Sequence, residues 1–546
     1  MKKANLKRYS FKISIVAILI VSLFLCIYSV KNYKSSNVSN SSQFGRMHDM
    51  SNNKNGRMNQ PPNMPSPNSS SGNAQNENGG FQPNNMQNGN NGMQHGMEGG
   101  VVQRGNADTT YLPALTVYSV VFLIMCCVIY YFYKQKKIKI NLSNEKVIIF
   151  TLLSVGFLLR ITVSTLMGGH NDINLFKNWA ESAAKSLTQF YSSAMQADYP
   201  PLYIYVLGLI GKIATIDGLS SYFVLLLKVP SIIAEVITAY FIYKLSKKRF
   251  SVEVSILLAT FYIFNPAIFF VSTFWGQVDS FFTLLLVVAV YLLSEKKYVF
   301  SSAMFAACVL MKPQGIIFLP ILFYELVGQR KIKNFIYAAI SALITVVVII
   351  LPFSFGQQSP LWILNLYSKT ISEYPFASVN GFNFFALIGA NGVKNTTTLF
   401  IFNYHTWGMI FIVAVSLFSW VIYAKGKNRA FVPAIALFQI AGVFTFSSGM
   451  HERYLFSAVA LSMLAFIYLK DRRFLILALG FTITNYLNIS SVFFNIGDTA
   501  FTMALQLTSL MNIILVGYLG KVLFDNAVAK KDNSGEKVTD EKNQAI

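Results

Sequence analysis

The chain has 546 residues, of which 53% are hydrophobic and only 12% charged, whereas a soluble domain carries about 25% charged residues. Apolar runs long enough to cross a bilayer core recur throughout, which excludes a soluble globular fold and predicts an all-α polytopic membrane protein. The net charge of +22 does not point to a nucleic-acid partner, because the Lys and Arg residues gather in short loops between apolar runs, as membrane topology requires.

The N-terminus reads MKKANLKRYSFK and runs into an apolar stretch from Ile13 to Val30. That stretch is long for a signal-peptide core and no A-x-A pattern follows, so it reads as an uncleaved anchor with a cytoplasmic N-terminus. Residues 31–108 are rich in Asn, Gly, Met, Gln, Ser and Pro. Such a composition cannot bury enough apolar area to offset its ordering entropy, and a disordered extracytoplasmic linker is predicted. Its Met and His side chains are soft-metal ligands in principle, but a plain tether is the preferred reading.

A second span and a cytoplasmic loop occupy 109–146, a single membrane domain 147–524, and a polar cytoplasmic tail 525–546. Helices are predicted near 13–30, 112–133, 147–167, 222–245, 252–272, 278–293, 299–311, 314–328, 334–352, 400–423, 430–447, 453–469, 473–490 and 502–522, about fourteen transmembrane or re-entrant elements. With the N-terminus inside, the clusters Lys134/Lys136/Lys137, Lys247/Lys248/Arg249, Lys296/Lys297, Arg330/Lys331/Lys333, Lys425/Lys427/Arg429 and Lys470/Arg472/Arg473 all fall on the cytoplasmic side. The pair 299–311 and 314–328 is too short for two full spans and reads as a bent or re-entrant hairpin. Cys26, Cys126, Cys127 and Cys308 all lie in predicted spans, with neither a metal-site spacing nor a disulfide framework.

The opposite side collects a different set. It holds long loops at 168–221 and 353–399, and the turns FWGQVDS (274–280), MKPQG (311–315) and SGMHERY (448–454). The first loop opens GGHNDINLFKNWA, with Asp172 and Trp179. Further on it reads ADYPPLYIYVLG, where Asp198 and Tyr199 precede a Pro-Pro pair that forces a turn. The apolar segment after it is expected to lie on the membrane surface, since a crossing there would swap the sides of every later loop. Lys228 and Glu235 stand seven apart on one face of the next span. Intramembrane charges cost roughly 2.5–3.5 kcal/mol each on insertion scales, so they mark either a site or a structural pair near the rim. Gln277, Asp279, Lys312, Gln314, His451, Glu452 and Arg453 complete the outward set. Acids and bases at one face of one bundle suit an amphipathic substrate that carries phosphate: Lys and Arg hold the anion, and an Asp takes a proton.

The order of these elements, an outward Asp after an early span, then DYPP, WGQ-x-D, KPQ, LPF and HER, resembles the GT-C superfamily of integral-membrane glycosyltransferases. It is similar in particular to bacterial proteins related to the mannosyltransferase that adds the second mannose of GPI anchors. The endoplasmic-reticulum glucosyltransferases that extend the N-glycan lipid precursor also carry a Tyr-Pro-Pro element and a late His-Glu-Lys element, here His451-Glu452-Arg453. The resemblance covers roughly 147–490. It implies a polyprenyl-phosphate-linked sugar donor, transfer on the extracytoplasmic side, usually with inversion, and the Asp of the first large outer loop as base. Carried over, that base is Asp172, in the context Asp172, Phe176, Trp179, Ala180. Many relatives carry two adjacent acids at this point. Here the neighbours are His170 and Asn171, so no metal-binding Asp pair is present and an obligatory divalent cation or other cofactor is not expected.

The chemistry is coherent by itself. A phosphate leaving from C1 of a sugar is already a stable anion, so one carboxylate that activates the acceptor hydroxyl suffices, unlike glycoside hydrolysis with its two carboxyls. Cations near the leaving phosphate stabilise the developing charge. Arg453, His451, Lys312 and Lys228 are the candidates, with Gln314 beside them and Glu452 orienting one of them. Asp198, Tyr199, Trp179, Gln277, Asp279 and Glu235 are structural or acceptor-side candidates. The sugar is expected to be a hexose, mannose first, and the acceptor a glycolipid, a cell-wall polymer or a protein. Two other functions compete: a transporter or lipid flippase, and a ligase or polymerase of lipid-linked oligosaccharides.

Overall fold

The computed structural model describes residues 2–33, 104, 105, 107, 109–135, 144–170, 172–426 and 428–543. The predicted disordered linker therefore lies, for nearly all its length, outside the described residues, as do Lys136, Lys137, Asn171 and Lys427. The described part is mostly helical. The anchor α1 (Lys2–Lys31), α2 (Leu112–Lys134) and α3 (Glu145–Ser164) precede a loop region with α4 (Asp172–Lys185), α5 (Phe190–Ser193) and α6 (Pro201–Ala214). Next come α7 (Phe223–Lys247), α8 (Val252–Ile263), α9 (Pro266–Phe270), α10 (Asp279–Ser294), α11 (Tyr298–Met311), α12 (Leu319–Gly328) and α13 (Ile332–Ser354). A second loop region holds α14 (Trp362–Ser372) and α15 (Phe384–Leu387), and the chain closes with α16 (Tyr404–Gly426), α17 (Val432–Phe446), α18 (Ala458–Leu469), α19 (Arg473–Phe494) and α20 (Asp498–Asn543).

Among the described residues, 10 helical stretches are long and apolar enough to cross a membrane. The protein is a polytopic helical membrane protein. Four of the expected spans, 279–294, 298–311, 313–328 and 458–469, are shorter apolar helices. α20 continues far beyond its expected end near residue 522. No proline interrupts Phe524–Asn543, so nothing in the backbone forces a stop before the polar tail.

Two interruptions aim side chains at one end of the bundle. Asn265 ends α8, and its side-chain oxygen accepts from the amides of Ala267 and Ile268 ahead of Pro266, a capped restart in mid-span. The chain then widens into a π-helical turn over Val271–Trp275 and leaves it through Gly276 at φ 81°. At the KPQ turn, Lys312 is extended (φ −149°, ψ 142°) and a 3-10 turn starts at Pro313. A Cβ on Gly315 would stand 2.5 Å from the Val309 amide nitrogen, so only glycine lets the chain fold back this tightly on α11. The expected bent hairpin takes this form.

The opposite end carries the basic loops, joined by ion pairs. Glu145 meets Lys247 and Tyr243, Arg249 lies 3.8 Å from Glu295, Arg429 lies 3.6 Å from Glu325, and Arg473 binds both Asp471 (2.7 Å) and Asp525 (2.5 Å). The second loop region is less irregular than a loop reading suggests. β1 (Ser378–Val379) pairs in parallel with β4 (Met450–His451), with Val379 opposite His451, and β2 (Thr398–Leu399) forms a hairpin with β3 (Phe402–Asn403).

Inside the bundle, Arg160 and Glu235 are both fully buried and paired, and Ser280 donates to the same carboxylate at 2.6 Å. Lys228 does not join them. Glu235→Gln is expected to cost roughly 3–5 kcal/mol, the usual penalty for orphaning one member of a buried pair. The double variant Arg160→Met/Glu235→Leu should cost much less. Thermal unfolding in detergent separates the two, and equal losses would rule out the pairing as the cause.

Candidate active site

Asp172 is the first residue of α4, so its carboxylate stands at the positive end of that helix. The approach to it is fixed by Gly169 at φ 110° and by the His170 amide, which donates to the Trp275 carbonyl at 3.0 Å. The inner face of α4, Ile173, Phe176, Trp179, Ala180 and Ala183, is buried, and the Trp179 indole donates to the Met195 carbonyl at 2.7 Å. Trp179 is thus a packing anchor beneath Tyr199, at 5.2 Å between ring centres.

The Asp172 side chain is 29% exposed. Its Oδ1 lies 3.2 Å from His170 Nδ1. Its Oδ2 accepts from the Gln277 amide and, at 3.4 Å, from the Trp275 indole, and lies 3.6 Å from an Arg453 nitrogen. Burial pushes this carboxyl up, but the hydrogen bond and charge of His170, the Arg453 charge and the Gln277 hydrogen bond outweigh it and hold it well below the usual range.

Arg453 is the hub. Its Nε donates to Glu452 at 2.8 Å, its two outer nitrogens lie 3.6 Å from Asp172 and from Asp279, and its guanidinium carbon stands 4.9 Å from the Trp275 ring centre. Burial opposes the charge, but Glu452, Asp172 and Asp279 together raise the Arg453 pKa further, so it remains a cation. Lys312 donates to Asp279 at 2.6 Å and lies 5.7 Å from the Tyr199 ring centre. Burial lowers its pKa and the Asp279 charge opposes that. Tyr199 donates to Gln277 at 3.3 Å, and Gln314 bonds to the Tyr454 hydroxyl. The outward residues of five separate segments thus meet in one network.

Three of the expected residues are held differently. Lys228 points its ammonium at the carbonyls of Ser164 (3.3 Å), Met167 (2.7 Å) and Thr273 (2.6 Å) and is fully buried. Those three bonds use its three protons and tie the end of α3 to the π-turn. His451 sits in β4 with its ring edge-to-face on Tyr374, 4.6 Å between centres. Burial pushes its pKa down to about 4, so at neutral pH it is a neutral imidazole and not a cation. Glu235 is enclosed by Arg160 and Ser280, inside the bundle. Sequence reasoning overlooked Trp275, which stacks on His170 at 4.7 Å and faces Arg453. The signal was an aromatic residue immediately before the left-handed glycine of the FWGQ turn.

Asp198 lies outside this network. Burial, then the nearby Glu373 charge, pushes its carboxyl up to about 7. A raised carboxyl pKa means that the folded state holds the proton more tightly than the unfolded chain. The resulting stabilisation is therefore present at low pH and is lost as pH rises from about 4 through about 7. Asp198→Asn, which mimics the protonated acid, should leave the melting temperature little changed at pH 4 and raise it at pH 8. A shift of the same size at both pH values would contradict the burial argument.

Among the described residues, no group of three His, Cys, Asp or Glu side chains stands close enough to hold a metal ion. No curated protein matches the chain. Residues 198–355 match the family model for dolichyl-phosphate-mannose-protein mannosyltransferases. The matched stretch includes Tyr199, Lys228, Glu235, Gln277, Asp279 and Lys312, and it stops short of Asp172 on one side and Arg453 on the other. With the spans described above, this similarity points to a membrane glycosyltransferase.

Proposed function

We propose that the chain transfers a hexose, mannose first, from a polyprenyl-phosphate donor to a hydroxyl acceptor outside the cytoplasm. The observation that carries the reading is the meeting of one ionised carboxylate, Asp172, with Arg453 and, through Asp279, with Lys312. In the proposed step Asp172 takes the proton of the acceptor hydroxyl and the freed oxygen forms a bond to sugar C1. The C1–O bond to phosphate breaks, and its electron pair leaves with the phosphate. Arg453 and Lys312 stabilise the charge that grows on that phosphate. Glu452 holds Arg453 in place through its Nε hydrogen bond.

The basic loops at the far end support a cytoplasmic assignment for that end, with the Asp172 cluster on the outer side. The superfamily resemblance and the mannosyltransferase match support the donor class. The enclosure of Glu235 by Arg160 and Ser280 gives no support to an ion or substrate path through the bundle. The test is transfer by the purified full chain in liposomes, with a panel of radiolabelled polyprenyl-phosphate monosaccharides and a total lipid acceptor extract. Transfer from one monosaccharide donor supports the reading and names the sugar. Transfer only from lipid-linked oligosaccharides would assign the chain to ligation or polymerisation instead.

A further inference from the structure

A second polar feature stands on the outer face of α4, away from Asp172. Lys177, Glu181 and Lys185 are spaced four apart and share one face of that helix. α6 packs against α4 at very short range. A Cβ on Gly211 would come within 2.1 Å of the Ala180 carbonyl oxygen, and one on Gly208 within 3.3 Å of the Ala183 Cβ. This close approach brings Lys212 of α6 beside the α4 lysines.

Together with Ser220 and Phe223 they line a cleft of about 400 Å³. Three lysines against one glutamate leave the cleft cationic. Lys177 lies 5.6 Å from the Phe223 ring centre. Among the described residues, no carboxylate stands within ion-pair distance of any of the three ammonium groups. Topology does not account for them, because the basic loops that set topology cluster at the other end of the bundle.

The location narrows the ligand. Ser220 and Phe223 are among the first residues of the span Ser220–Lys247, so the cleft opens where that helix enters the bilayer. Beside it, α6 and its C-terminal turn expose Leu209 (61%) and Ile216 (55%), apolar surface suited to acyl chains. Charge complementarity and depth together select an anion that is itself part of the membrane.

We propose that the cleft between α4 and α6 binds the phosphate headgroup of an anionic phospholipid, with Lys177, Lys185 and Lys212 as its ligands. Each lysine near an anionic membrane surface contributes roughly fivefold to binding, so their joint loss should be large. The lipid would then brace the helix whose first residue is Asp172, although its binding is measured without any transfer reaction.

The test uses the full chain in phosphatidylcholine vesicles doped with photoactivatable phosphatidylglycerol or, in parallel, photoactivatable phosphatidylcholine, with labelled peptides read by mass spectrometry. The expected result is phosphatidylglycerol labelling of α4 and the α6–α7 junction. That labelling should fall roughly tenfold or more in Lys177→Gln/Lys185→Gln/Lys212→Gln and persist in the triple Arg variant. All three lysines are exposed, so these variants should fold normally. Equal labelling by the zwitterionic lipid, or unchanged labelling of the Gln variant, would overturn the proposal. Displacement by millimolar inorganic phosphate would also overturn it, because the site would then serve a soluble anion.

Discussion

Asp172→Asn should lower sugar transfer by about 10²–10⁴-fold, the range typical of losing a general base, while donor binding changes little. Asparagine keeps the size of the side chain and an oxygen able to accept from the Trp275 indole and the Gln277 amide. What it loses is the capacity to take a proton. Single-turnover transfer with saturating donor isolates this step, and a binding assay on the same sample establishes that the site is intact. Transfer within tenfold of wild type would remove Asp172 from the role of base. The low pKa of Asp172 has a second consequence. The group is ionised throughout the neutral range, so the acid limb of the pH–rate profile should lie well below neutrality.

Arg453→Gln should be the more damaging substitution, because it removes one cation from three carboxylates at once. Asp172, Asp279 and Glu452 all lie within 3.6 Å of its nitrogens. Two costs are expected: a loss of stability of roughly 3–5 kcal/mol from orphaned buried charge, and a fall of about 10²–10³-fold in transfer from the missing anion stabiliser. Arg453→Lys separates them. Lysine keeps the charge but cannot hold Glu452, Asp172 and Asp279 with one planar fork, nor lie over Trp275 in the same way. It should recover most of the stability and little of the rate. Full recovery of both would mean that charge alone matters at this position. In either variant still active enough to assay, weakening the Arg453–Asp172 contact removes or loosens one of the positive charges that hold the Asp172 pKa down, so the acid limb should move to higher pH.

Sequence reasoning reached most of the membrane architecture, because apolar length and charge spacing are local properties of the chain. Eighteen residues of anchor or twenty of span need no partner to be recognised as lipid-compatible, and the basic loops order the ends without knowledge of packing. The same reasoning picked out Asp172, Gln277, Asp279, Lys312, Glu452 and Arg453 as one group, from their shared end of the bundle and from the order of their motifs. It could not tell which of them touch. Lys228 reads in sequence as a phosphate-binding cation or as half of a structural pair with Glu235, and only the fold brings three carbonyls from the end of α3, the turn after it and the π-turn to its ammonium. His451 reads as a cation, and only burial beside Tyr374 makes it neutral. The parallel pairing of Ser378–Val379 with Met450–His451 was invisible, since two residues show no periodicity. Whether a charge is free or satisfied depends on neighbours distant in the chain and on the water excluded between them. Those are properties of the packed bundle, and no local pattern of residues encodes them.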